Sequence, residues 1–119
     1  MAVFKRGDII EVFFDLPYSK ETKTHPAIII SNEDVYDADE IYICVMMTSS
    51  SEEDLFTFEI KQEMLQRQNN KIYSQARCHL ITYVMEKHIV GNYAKNSLKP
   101  AAVNRLIARI NEVSLEDFS

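Results

Sequence analysis

Arg77 and His79, two residues apart in the segment Gln75-Ala76-Arg77-Cys78-His79, are the side chains of this chain best suited to act on a phosphodiester. A guanidinium binds a phosphate through paired N–H groups and stabilises the charge that builds on it in a transition state. An imidazole, titrating near 6.5 in general, takes or gives a proton close to neutral pH. Residues two apart on a strand share a face, so this spacing would set the two groups side by side. The same spacing equally describes an Arg and a His on the solvent face of a half-buried strand. His25 stands between a polar stretch and the apolar run that opens at Pro26, a place for either a functional residue or a turn histidine. Thr48 and Ser49 close another apolar run, where hydroxyls can donate to a phosphate or simply serve a turn.

Other chemistries lack their signatures. The chain has two glycines and contains no phosphate-binding Gly-rich loop, Walker sequence or Gly-x-Ser-x-Gly elbow. Cys44 and Cys78 sit in apolar strand-like segments and read as small hydrophobes, with no Cys-x-x-Cys or His-x-x-x-His spacing to suggest zinc. No metal or other cofactor is expected. The acids of residues 33–54 read as solvated loop charges.

The elements that would position the candidates are mostly strands. Ile9 to Phe14, after the Gly7-Asp8 turn signal, is β-branched and aromatic. Asp15 to Thr24 reads as a loop, Pro26 to Ile30 as a strand buried on both faces, and Ile41 to Met47 as another. Ser49 to Asp54 is a surface connection, and Phe56, Phe58 and Ile60 alternate with polar residues. A helical turn is expected over 61–67, a turn at Asn69-Asn70 and a long strand from Ile72 to Val84. A short helix over Glu86 to Val90 would stop near Gly91. Pro100 opens the main helix, with Val103, Leu106, Ile107, Ile110 and Val113 along one face. Strands this close together, with little helix between them, favour a curved antiparallel sheet or small barrel sealed by a C-terminal amphipathic helix.

At 119 residues the chain is expected to be a single domain over 1–119. Its 46% hydrophobic and 26% charged residues exclude a disordered chain, and no apolar run reaches the length of a bilayer span. The N-terminus lacks a signal-like apolar stretch, so a cytoplasmic location and no membrane partner are expected. The net charge of −5 hides a segregation: residues 33–63 carry ten acids against Lys61, and residues 64–110 carry eight bases against Glu86. A basic surface on an acidic protein would follow only if those bases converge; otherwise these are two solvated faces.

Taken in order, Arg6-Gly7-Asp8-Ile9-Ile10, His25-Pro26-Ala27-Ile28-Ile29-Ile30-Ser31-Asn32, Met46-Met47-Thr48-Ser49 and Ser74-Gln75-Ala76-Arg77-Cys78-His79 resemble the PemK/MazF family of toxins from toxin–antitoxin modules. The resemblance implies an SH3-like barrel, a homodimer, and a metal-independent endoribonuclease that cuts single-stranded RNA and is neutralised by a cognate antitoxin peptide. It assigns catalysis to Arg77, His79, Thr48 and His25, and substrate binding to Lys23 and Ser49. The chain departs from the pattern at three places. His25 stands where the family's second strand usually opens with Arg, His79 where the PemK-like branch has Asp, and Leu80-Ile81-Thr82 where Gln and Arg-Thr usually follow. Each charge-assisted bond to phosphate that the missing arginines would have made is worth roughly 1.5 to 3 kcal/mol. The competing expectation is a non-catalytic protein of the PemK/CcdB type that binds a protein partner, since the gyrase poison CcdB resembles the family in fold.

Overall fold

The computed structural model describes residues 2–15, 22–68 and 75–117, with backbone alone at 14, 15 and 22. Its strands are β1 (Asp8–Asp15), β2 (Thr22–Ile29), β3 (Tyr42–Thr48), β4 (Thr57–Glu59), β5 (Gln75–Val84) and β6 (Asn96–Ser97). They form one antiparallel sheet in the order β4-β5-β3-β2-β1-β6, curled into a half-barrel. Helix α1 (Glu33–Asp39) bridges β2 and β3, and helix α2 (Pro100–Ile110) continues into a π-helical turn at Asn111–Leu115. The expected mainly β, curved-sheet architecture with a C-terminal helix is the one found.

The sheet buries apolar side chains on both faces, which is why its central strands read as continuous hydrophobic runs. On one face Ile9, Ile28, Val45, Met47, Ala76 and Cys78 meet Val103, Leu106 and Ile110 of α2. On the other, Ile10, Val12, Ala27, Ile29 and Cys44 gather with Phe4, Tyr42 and Ile89. Gly7 makes the close approach between β1 and α2 possible. Its φ is +95°, and a Cβ there would lie 3.0 Å from Val103 Cγ2 and 3.2 Å from the Leu98 carbonyl.

Three local expectations are corrected. Residues 22–24 belong to β2 rather than to a loop, because they are laddered to β1 in the register Phe13↔Thr24, Phe14↔Lys23 and Asp15↔Thr22. Backbone pairing holds this end of the strand, so its polar composition conceals it. Residues 33–39, expected as a polar connection, are helical: the Asn32 side chain accepts from the Val35 N–H at 3.3 Å, and Glu33 and Asp34 favour the helix N-terminus. The segment from Glu86 makes only a 3₁₀ turn, Glu86–His88, because Ile89 is drawn into a bridge with Val12. The Asn69-Asn70 turn and the start of the strand expected from Ile72 lie outside the described residues.

Candidate active site

β3 and β5 create the site where their ladder slips. Val45 pairs with Ile81 and Met47 with Ala76, leaving Arg77 to Leu80 opposite Met46. Such a bulge interrupts the in-and-out alternation and re-aims side chains. As a result Arg77 and Leu80, three apart and on opposite faces of an ideal strand, both line one cleft. β2 contributes half-buried His25, and the end of β3 contributes Met46 and Thr48. The β3–β4 connection adds Ser50, Glu52 and Asp54, closing a cleft of about 460 Å³, within the usual range for ligand sites.

The dominant interaction in this cleft is an ion pair. Arg77 donates from Nη1 to Asp54 Oδ1 and from Nη2 to Oδ2, each at 2.9 Å. Asp54 Oδ1 also accepts from the Phe56 N–H at 2.9 Å and from the Thr57 hydroxyl at 3.2 Å. The bond from Arg77, reinforced by that from the Phe56 N–H, holds the Asp54 carboxyl down at about 2. Thr48 Oγ1 accepts from the Ser50 N–H at 3.2 Å, so its hydroxyl both shapes the turn and faces the cleft. Gln75, also in the wall, is buried, and its Oε1 finds no hydrogen-bond partner.

The sequence-derived candidates therefore divide. His25, Thr48 and Arg77, from three different strands, share the cleft. His79 is exposed, and its ring lies 4.2 Å from that of Phe56, outside the cleft lining. Lys23 is exposed on β2, two residues from His25, and Ser49 is exposed beside Thr48; neither lines the cleft. Sequence reasoning missed Asp54, classed with the solvated loop acids. The available signal was Asp54-x-x-Thr57, a turn in which the Asp54 N–H bonds the Thr57 hydroxyl at 2.8 Å and aims the carboxylate back. Among the described bases of residues 64–110, three are engaged within the protein. Arg77 is paired with Asp54, Arg67 donates to the Lys95 carbonyl, and Arg109 donates to the Leu55 carbonyl and meets Glu112 at 3.3 Å. Among the described residues, no group of three or more His, Cys, Asp or Glu side chains is placed to hold a metal ion.

The comparisons with known proteins agree with this architecture. A family model described as "PemK-like, MazF-like toxin of type II toxin-antitoxin system" matches residues 5–114. Among solved structures, an endoribonuclease from a mycobacterial species has a TM-score of 0.68 at 15% identity, covering 95% of this chain and 92% of that one. A mycobacterial endoribonuclease in complex with its cognate antitoxin gives 0.64 at 13% identity, with 92% of each chain covered. A MazE–MazF complex from Deinococcus radiodurans gives 0.70 at 9% identity, covering 93% and 95%. At these identities the structural likeness establishes the fold. No curated protein matches.

Proposed function

The chain belongs to the PemK-like, MazF-like toxin family of type II toxin–antitoxin systems, and from that premise we propose that it is an endoribonuclease that cuts single-stranded RNA. The observation that carries the reading is the convergence of His25, Thr48 and Arg77 on one cleft of a size to take a nucleotide. In the proposed reaction His25 removes the proton of a ribose 2′-hydroxyl, and the oxygen attacks the adjacent phosphorus. Arg77 and the Thr48 hydroxyl stabilise the charge gathering on the non-bridging oxygens. The bond to the 5′-oxygen breaks, that oxygen takes a proton from solvent, and the products are a 2′,3′-cyclic phosphate and a free 5′-hydroxyl. Proton transfer is assigned to His25 rather than His79 because only His25 lines the cleft.

The proposed partners are single-stranded RNA, an antitoxin peptide that masks the site, and a second copy of the chain. Exposed Leu80, Ile81, Tyr83 and Met85, along the outer half of β5 and just beyond it, supply apolar surface for an assembly. The activity test is incubation with mixed-sequence single-stranded RNA in EDTA. Scission by the wild type and its loss in folded Arg77→Ala are expected. Intact RNA across sequences and enzyme concentrations would instead favour the non-catalytic alternative, a protein acting through a protein partner.

A further inference from the structure

Asp54 presents a problem for the proposed reaction: a carboxylate occupies both terminal nitrogens of the guanidinium that should meet the phosphate. It either competes with RNA for Arg77 or fixes Arg77 in place for it, and the bonding decides between the two. Competition would break both bonds from Arg77 and leave an ionised carboxylate, still fastened by the Phe56 N–H and the Thr57 hydroxyl, facing the incoming phosphate without its counter-charge. The last two donors belong to the chain that leads into and forms β4. Thr57 is itself the ladder partner of Arg77, so carboxylate and guanidinium are fastened to the same pair of strands. On the far side Arg109 of α2 donates to the Leu55 carbonyl at 2.9 Å, tying the loop to the helix.

We propose, on the endoribonuclease reading above, that Asp54 is a positioning residue: it stays in place during the reaction and aims the Arg77 donors it leaves free at the phosphodiester. A guanidinium has five N–H groups, and the Asp54 pair uses one hydrogen on Nη1 and one on Nη2. Nε–H and the remaining Nη hydrogens are left for the substrate. The orientation of the plane, normally lost to rotation about a long side chain, is fixed before RNA arrives. Asp54 does not act as a general acid, since its carboxyl is held at about 2 and stays ionised wherever the enzyme would work. Because the pair is neutral as a unit, Arg77 contributes direction more than attraction. Its effect therefore belongs to kcat and hardly at all to KM.

The test uses the full chain, single-stranded RNA in EDTA, and the variants Asp54→Asn and Thr57→Val, with folding checked by circular dichroism and thermal melting. Asp54→Asn is expected to lower kcat by about 10- to 100-fold, the scale on which a small misplacement acts, with KM within about 3-fold of wild type. Thr57→Val, which keeps the carboxylate but removes one of its anchors, is expected to lower kcat by less. In parallel, the NMR signals of the Arg77 guanidinium should show restricted Nη rotation in the wild type and free rotation in Asp54→Asn. Asp54→Asn that cleaves as fast as wild type or faster, that lowers KM, or that acts only by raising KM overturns the positioning role. Inactive wild-type protein overturns the nuclease reading and this inference with it, whereas active wild type matched by Asp54→Asn overturns this inference alone.

Discussion

Arg77 shows both what one residue's neighbourhood in sequence reveals and what it conceals. The spacing of Arg77 and His79 marks a segment capable of phosphate chemistry, and Arg77 does line the cleft. Its partner Asp54 lies 23 residues away in a run of acids indistinguishable by type from solvated charge, so only the fold joins them. The pair makes a specific pH prediction. A carboxylate held below its ordinary value contributes stability that is complete above the unfolded pKa, about 4, and is lost as pH falls through about 2. Wild type and Asp54→Asn should therefore differ by a constant amount in urea midpoint at pH 5 to 7 and converge as pH approaches 2. A difference that persists unchanged at pH 2, or one absent at pH 6, would contradict the pair's role.

At the scale of elements, the slip between β3 and β5 is what turns a strand into a site, and no periodicity in the sequence announces it. Alternation around Arg77 predicts His79 as its companion on one face; the bulge instead delivers Leu80 to the cleft and leaves His79 on Phe56. Elements held by burial are legible in the sequence, as with the runs of β1 to β3 and the apolar stripe of α2. Elements held by backbone pairing or capping, such as residues 22–24 and α1, have no apolar pattern to read, and α1 buries none of its residues. The packing of α2 gives two stability predictions. Leu106 is fully buried beneath the helix, and Leu106→Ala should cost about 2 to 5 kcal/mol. Gly7→Ala should cost about 1 to 3 kcal/mol, because the left-handed backbone and the Val103 contact both oppose a Cβ. Urea unfolding measures both, and a midpoint unchanged from wild type in either variant would refute the corresponding contact.

For the whole molecule, net charge is a poor guide to the cleft. The excess of bases over residues 64–110 suggests a basic surface, yet Arg77, Arg67 and Arg109 are spent on protein partners, and Glu52 and Asp54 line the cleft itself. RNA binding should accordingly respond only weakly to salt. With uncleavable 2′-O-methyl RNA, log affinity against log salt should slope about −0.7 to −1.4, one or two phosphates neutralised at the cleft, and a slope near about −4 would show instead that bases outside the cleft bind the RNA. The proposed homodimer also belongs to this scale. Sedimentation at micromolar concentration should show a dimer, and Tyr83→Asp, on the exposed apolar stretch of β5, should shift it toward monomer. A wild type that sediments only as monomer would rule the dimer out.

If the cleft holding His25, Thr48 and Arg77 cuts RNA through the substrate's own 2′-hydroxyl, the chemistry is written in the ends it leaves. Mass spectrometry of the fragments released from single-stranded RNA in EDTA, by the wild type and in parallel by folded Arg77→Ala, reads those ends. The wild type should release 2′,3′-cyclic phosphates and free 5′-hydroxyls, and the variant should produce no new ends. Fragments bearing 5′-phosphates, or equal cleavage by both proteins, would contradict the proposed reaction.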